Sequence, residues 1–178
     1  MPYGINIKCI IFGDFMIKIL KAVARDEKRM RSLKLISKAS SYALAAFFAC
    51  QLILELMYSE YLECIISASS AAVGFIGVTV LRSTLNFKRP YEVYDFYEVP
   101  PRELSGKSFP SRHTYSGFAI ATLSWLVSPL VFAGLMILAL AIAVCRVLTG
   151  IHFLRDVLVG AAIGIVHGAL PIIICHFI

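Results

Sequence analysis

The chain has 178 residues, of which 59% are hydrophobic and only 16% are charged, and its mean hydropathy is +0.80. Soluble domains contain about 45–50% apolar residues, so this composition excludes a soluble globular enzyme. The net charge of +6 suits anionic lipid headgroups or a phosphate-binding site, and we do not expect nucleic acid as a partner.

The first predicted element is a helix within residues 5–24, which are apolar but carry charges along one helical face. Asp14, Lys18 and Lys21 fall on that face. This pattern favours an amphipathic helix at the membrane interface over a span or a signal peptide. The basic run within residues 25–38 is typical of the cytoplasmic flank of a span. Residues 1–38 are therefore predicted to be an interfacial helix and a basic segment.

Five apolar stretches are predicted to cross the membrane as helices. They run from Tyr42 to about Tyr58, from about Cys64 to Leu81, from His113 to about Val127, from Leu130 to about Cys145, and from Val157 to near the C terminus. The fold class is thus all-α: a polytopic membrane helix bundle of about five transmembrane helices plus an N-terminal interfacial amphipathic helix. Residues 1–178 are expected to form a single integral-membrane domain.

Glycines mark one face of the last predicted span. Gly160, Gly164 and Gly168 recur every four residues. Small residues at this spacing let the backbones of two membrane helices approach closely. The stripe therefore predicts a helix-packing face.

Polar residues gather at three span boundaries: the end of the second span, the start of the third, and the junction of the fourth and fifth. Counting crossings places all three boundaries on the same membrane face. Any single arginine there could simply extend to the lipid headgroups. Charges at membrane depth are costly and usually functional, however, and the combination with histidines favours a site. The boundaries supply Arg82, Lys88, Arg89, Arg112, His113, Arg146, His152 and Asp156.

Residues 110–113, Pro-Ser-Arg-His, are predicted to open a helix. Ser111 is a good N-cap residue, and the first backbone N–H groups of the helix would face outward to receive an anion such as phosphate.

The fourth-to-fifth junction carries a second chemical pattern. His152 and Asp156 are four residues apart, so on the first turn of a helix they would share a face. Asp156 could then hold one imidazole nitrogen while the other stays free to attack or to accept a proton. Gly150 can turn the chain so that Arg146 faces the same pocket. Histidines in an arginine-rich pocket suit phosphoryl transfer.

Together the three motifs resemble the signature of the type-2 phosphatidate phosphatase superfamily, which comprises membrane lipid phosphatases and soluble vanadium haloperoxidases. They read Arg82-(six residues)-Arg89-Pro90, Pro110-Ser111-Arg112-His113 and Cys145-Arg146-(five residues)-His152-(three residues)-Asp156, within a catalytic region spanning residues 82–156. The resemblance implies that His152 is a nucleophile forming a phosphohistidine, that Asp156 orients it, and that His113 is the general acid. It also implies phosphate binding by Arg82, Arg89, Ser111, Arg112 and Arg146, with no metal and no cofactor.

Three positions depart from the pattern of that superfamily. Arg82 replaces the usual lysine, Arg112 the usual glycine, and Cys145 the usual serine. None of these changes removes the nucleophile, its aspartate or the acid. We therefore expect an active enzyme.

The resemblance implies a membrane-embedded lipid phosphatase that hydrolyses a phosphomonoester or diphosphate of a lipid. Candidate substrates are phosphatidylglycerophosphate, phosphatidate and a polyprenyl phosphate or diphosphate, and the expected partners are this substrate and membrane lipids. The alternatives are an undecaprenyl diphosphate phosphatase with an external site, a vanadate-dependent haloperoxidase, and a non-catalytic scaffold or transporter.

Two crossings separate the basic segment from the catalytic loop, so the positive-inside rule predicts a cytosolic catalytic face in a bacterial plasma membrane.

Overall fold

The computed structural model describes residues 7–94 and 105–177, with side chains from residue 15 onward, and within these ranges every regular element is helical. The helices are α1 (Ile7–Arg25), α2 (Glu27–Met57), α3 (Tyr61–Leu85), α4 (Pro90–Val93), α5 (Arg112–Leu123), α6 (Pro129–Leu148) and α7 (Leu154–Phe177), with a 3-10 turn at Ser124–Leu126 after α5.

Four of the described helices, α2, α3, α6 and α7, are long and apolar enough to cross a membrane. Large apolar side chains such as Ile53, Leu140 and Ile173 are exposed on their outer faces. An aqueous protein would bury such surfaces, whereas lipid tails solvate them. The predicted all-α membrane bundle is confirmed.

Two predicted elements differ in length from the structure. The helix that contains the first predicted span begins at Glu27, well before Tyr42, because the basic segment continues the helix, and the Asp26 side chain caps it by accepting from the backbone N–H of Arg29 at 3.0 Å. The third predicted span becomes the 12-residue α5 and the 3-residue 3-10 turn. This pair is shorter than the roughly 20 residues that a bilayer requires.

α5 lies at the centre of the bundle, packed mainly on α7 and α6 and also on α2 and α3. A small core of Leu44, Ala121, Ala139 and Ile142 joins α2, α5 and α6. α5 is therefore enclosed mainly by other helices rather than by lipid. The longer helices position its N-terminal end.

The glycine stripe of α7 packs directly against α5. A Cβ atom added to any of the three glycines would come within 2.7 Å or less of a carbonyl oxygen of α5 or its N-cap residue. The pairs are Gly160 with Ser111, Gly164 with Tyr115, and Gly168 with Ala119. The predicted packing face is present, and it fixes the start of α5 beside the start of α7.

α1 packs against α2 and α6, with Leu20 buried. Its position at the membrane interface stays a prediction.

Candidate active site

The predicted site residues converge at one end of the bundle. Arg82 lies in the last turn of α3 and Arg146 in the last turn of α6. His113 lies in the first turn of α5 and Asp156 in the first turn of α7. Burial, together with the nearby positive charges of Arg146, Arg112 and Arg82, lowers the pKa of His113 from its ordinary value of 6.5 to about 3. The chain thus gathers cations and two imidazoles where four helices begin or end.

His152 precedes α7 instead of lying on its first turn as the spacing predicted, because the helix begins only at Leu154. Gly150 makes the turn before it with a φ of 64°, a conformation that favours glycine. Asp156 nevertheless reaches back to the histidine, and its Oδ2 atom lies 3.7 Å from His152 Nδ1. Both side chains are buried, with His152 3% and Asp156 0% exposed.

Ser108 completes this pair. Its hydroxyl donates to Asp156 Oδ2 and lies 3.4 Å from His152 Nδ1. The backbone N–H of Phe153 donates to the same carboxylate oxygen at 3.0 Å. Asp156 is thereby held with Oδ2 toward Nδ1, and the other ring nitrogen, Nε2, lies outside this contact.

Burial lowers the pKa of His152 below its ordinary value of 6.5. The carboxylate of Asp156, 3.7 Å from Nδ1, raises it, while the positive charges of Arg89 and Arg82 lower it. Since the pKa lies below the ordinary value, the imidazole of His152 is neutral at neutral pH. A neutral imidazole has the lone pair that a nucleophile needs.

Arg82 and Arg89 organise the loop that presents Ser108. Arg82 donates to the carbonyl of Lys107 from Nε at 3.0 Å and from a terminal nitrogen at 2.6 Å. Arg89, which is buried, donates to the carbonyls of Gly106 at 2.9 Å and Ile151 at 3.3 Å. Both guanidinium groups therefore lie at the site in fixed positions.

Glu92 supports the same loop from α4. Its carboxylate accepts from the backbone N–H of Arg89 at 2.7 Å, from that of Gly106 at 3.0 and 3.1 Å, and from the hydroxyl of Ser105 at 3.0 Å. These bonds connect the end of α3 to the segment that leads into α5.

Ser111 occupies the N-cap position of α5 as predicted, but its hydroxyl does not cap the helix. It accepts instead from the hydroxyl of Thr114 at 3.0 Å, and its backbone N–H donates to the carbonyl of Asp156 at 2.9 Å. The first-turn N–H groups of α5 are therefore not bonded to this side chain. Such groups are suited to receive an anion.

Two cavities meet at His113, whose side chain is exposed to both. The first, of about 380 Å³, is largely apolar and is lined by residues including Leu44, Phe75, Ile120 and Ile142. The guanidinium of Arg112 stacks 4.9 Å from the ring centre of Phe75 in this cavity. The second, of about 350 Å³, is lined by residues including Lys34, Lys38 and Arg146.

Sequence reasoning missed Ser108 and Glu92. Ser108 lies two residues before the Pro-Ser-Arg-His motif, and its proximity to that motif is the only signal that the sequence offers. Among the described residues, no group of three or more His, Cys, Asp or Glu side chains is arranged to hold a metal ion.

A family model for the PAP2 superfamily matches residues 60–176. No curated protein sequence matches the chain. The solved structure of LpxE from Aquifex aeolicus matches with a TM-score of 0.67 and 23% identity, and the match covers 96% of each chain. That of the first transmembrane PAP2-type phosphatidylglycerolphosphate phosphatase from Bacillus subtilis matches with a TM-score of 0.49 and 21% identity, over 92% of this chain and 94% of that chain. The match to LpxE shows that the two proteins share a fold over nearly the full length of both chains.

Proposed function

The chain belongs to the PAP2 superfamily, and on that basis we propose that it is an integral membrane lipid phosphatase that acts through His152. One observation carries the proposal: a buried imidazole is fixed by Asp156 and Ser108 at the point where three arginines, Arg82, Arg89 and Arg146, converge. A scaffold or transporter has no need for this arrangement. A nucleophile for a phosphoryl group requires it.

In the proposed reaction, Nε2 of His152 attacks the phosphorus atom of the substrate. A nitrogen–phosphorus bond forms as the bond between phosphorus and the leaving oxygen breaks. Asp156 holds Nδ1 and stabilises the positive charge that develops on the ring. The guanidinium groups neutralise the equatorial phosphoryl oxygens, and the N–H groups at the start of α5 supply further donors.

His113 is the general acid in this proposal. Binding of the anionic substrate offsets the arginine charges that lower the pKa of His113, so His113 becomes protonated and donates this proton to the leaving oxygen, which departs as an alcohol or as a phosphate. The neutral His113 then takes a proton from water as the water oxygen attacks phosphorus, and the bond to His152 breaks. Inorganic phosphate leaves, and both histidines return to their starting states.

The substrate proposed is amphiphilic. Its phosphate would occupy the polar site, and its apolar chain would lie in the cavity next to His113, where Leu44, Phe75 and Ile142 form the lining. Phosphatidylglycerophosphate, phosphatidate and polyprenyl phosphates all meet this description. We assign the whole chain, residues 1–178, to a single membrane domain with residues 82–156 as its catalytic region.

The test is release of inorganic phosphate by the detergent-purified protein with EDTA present. The panel contains phosphatidylglycerophosphate, phosphatidate and undecaprenyl diphosphate, and His152→Ala is assayed beside the wild type. We expect release from at least one lipid and a loss of more than about 10³-fold in the variant, since the nucleophile is gone. His167→Ala is the control, because that histidine bonds to Ser70 within the helix bundle and lies outside the site.

A second measurement tests the intermediate. Protein quenched during turnover of phosphate-labelled lipid should retain label that is stable to alkali and labile to acid, as a phosphohistidine is. Equal phosphate release by the wild type and His152→Ala, or label retained by the variant, would contradict the proposal.

A further inference from the structure

The apolar cavity beside His113 contains one arginine, Arg112, and the three arginines assigned above to the phosphate do not include it. We propose that the guanidinium of Arg112 binds an acyl carbonyl oxygen of the lipid substrate. The inference rests on the proposed function and narrows it: the preferred substrate carries an acyl group on the carbon next to the one that bears the phosphate.

Stacking on Phe75 holds this guanidinium in the cavity wall. The central carbon of the Arg112 guanidinium lies 4.9 Å from the centre of the Phe75 ring, and both residues line the cavity. The ring covers a face of the guanidinium, whereas the N–H bonds point outward in its plane, so stacking uses none of the donors. Within the described ranges no oxygen atom bonds to these N–H groups, and Arg112 is only half-buried. The cavity therefore presents held and accessible donors.

The rest of the lining offers these donors no carboxylate. Apart from Arg112 and His113, the described residues of the lining are uncharged. A hydrocarbon chain that fills the cavity displaces water from the guanidinium, and a charged donor without water or an acceptor is costly. A carbonyl oxygen of the same lipid removes this cost. A site built to bond a polar group strongly rejects an analogue that lacks the group.

The neighbouring residue shows where the carbonyl must lie. His113 follows Arg112 in the chain and lines the same cavity. Because His113 protonates the leaving oxygen in the proposed reaction, Arg112 lies beside the atoms that follow that oxygen.

This position separates the candidate substrates by chemistry. Phosphatidate has an ester on the carbon next to the one that bears its phosphate. Phosphatidylglycerophosphate carries its esters farther away, beyond a phosphodiester, and a polyprenyl phosphate has no carbonyl. The geometry therefore favours phosphatidate and lipids acylated in the same way.

The test compares phosphatidate with its dialkyl ether analogue of the same chain length. The two lipids share the phosphate and the glycerol leaving group and differ only in the carbonyl oxygens, so a change in phosphate binding affects both equally. The full chain is assayed in neutral detergent micelles. Arg112→Met removes the donors, while the unbranched methionine side chain can keep the contact with Phe75.

Arg155→Met is the matched control. The Arg155 guanidinium also stacks on aromatic rings, 5.6 Å from the centre of Phe87 and 5.2 Å from that of Phe153. It lies outside the lining of the apolar cavity.

We expect the wild type to prefer the diacyl lipid by at least about tenfold in kcat/KM, consistent with one hydrogen bond to a charged group. Arg112→Met should reduce this preference to less than about threefold, whereas Arg155→Met should keep the wild-type preference even if it changes both rates. Phe75→Leu leaves the guanidinium in place without its stacking partner, so it should weaken the preference by about two- to fivefold.

Two results would overturn the inference and leave the phosphatase intact. One is equal hydrolysis of the two lipids by the wild type. The other is a preference that Arg112→Met leaves unchanged, and an equal loss for both lipids in that variant would assign Arg112 to the phosphate instead. Hydrolysis of undecaprenyl diphosphate alone would also contradict it.

Failure of the wild type to hydrolyse any lipid would overturn the proposed function itself. Binding of non-hydrolysable phosphonate analogues of the diacyl and dialkyl lipids then decides the carbonyl site. Tighter binding of the diacyl analogue that is lost in Arg112→Met and kept in Arg155→Met would support the site, and equal binding of the two analogues would overturn it.

Discussion

Ser108 is a positioning residue in the proposed mechanism, since its hydroxyl donates to Asp156 and lies 3.4 Å from His152 Nδ1. Replacing it with alanine leaves one acceptor position of a buried carboxylate unfilled, which costs about 1–3 kcal/mol. We expect Ser108→Ala to lower kcat about ten- to a hundredfold with little change in KM. Ser105→Ala is the matched control, because the Ser105 hydroxyl bonds to Glu92. Equal effects of the two substitutions would contradict a role for Ser108.

The ionisation of His152 gives a second prediction at the residue scale. Burial lowers its pKa below 6.5, so the ring should remain neutral as the pH falls through 6.5 and take up its proton only at lower pH. Nitrogen-15 NMR of histidine-labelled protein in detergent, with His152→Ala to assign the signal, measures the titration directly.

Asp156→Asn provides the control for that titration. It removes the carboxylate that raises the pKa of His152, so the midpoint should move to still lower pH. A midpoint at or above 6.5 in the wild type, or a shift to higher pH in the variant, would show that burial does not control this histidine.

At the scale of helices, the contact between α5 and α7 depends on the absence of a side chain. A methyl group on Gly164 would lie 2.5 Å from the carbonyl oxygen of Tyr115, and a backbone atom cannot rotate away. We expect Gly164→Ala to destabilise the protein by about 1–3 kcal/mol, as overpacking does, and to disturb the start of α5. Thermal unfolding in detergent measures the effect.

Gly134→Ala is the matched control for that substitution. Gly134 lies within α6, and a Cβ atom there would meet nothing within 4 Å. Alanine is favoured over glycine in a helix by about 1 kcal/mol, so Tm should stay the same or rise. A similar loss of Tm in both variants would mean that the close contact does not limit the packing.

Helix-scale features were predictable from the sequence only where a local pattern determines them. The glycine spacing alone predicts the packing face of α7, and apolar length alone predicts the long helices. The start of α2 was missed because lysines and arginines are good helix formers, and their charge therefore indicates the end of an apolar span without indicating the end of a helix.

The contacts of the site were less predictable than its residue types. Ser108 meets Asp156 across 48 residues of chain, and no local pattern encodes that distance. The spacing of His152 and Asp156 predicted their contact correctly but placed the histidine on a helix that begins two residues later, at Leu154. The basic run predicted topology, whereas the structure also brings Lys34 and Lys38 into a cavity with His113.

At the scale of the whole molecule, the basic segment and the candidate active site lie at the same end of the bundle, since Lys34 and Lys38 share a cavity with Arg146. At the other end of α2 lie two acidic residues, Glu60 in the turn that leads to α3 and Glu63 in the first turn of α3. Lysine and arginine are enriched on the cytoplasmic side of membrane proteins. We therefore expect the site to face the cytosol.

Cysteine accessibility tests this orientation. Ser105 lies on the loop next to Ser108 and is exposed, and Glu60 is exposed at the opposite end. In a background without the five native cysteines that still releases phosphate, Ser105→Cys should resist a membrane-impermeant thiol reagent in intact cells and react after permeabilisation. Glu60→Cys should show the reverse order and react in intact cells. Labelling of Ser105→Cys from outside would place the site on the external face, where it would meet diphosphate lipids of the outer leaflet, and lysine enrichment would then have failed as a guide to the topology of this chain.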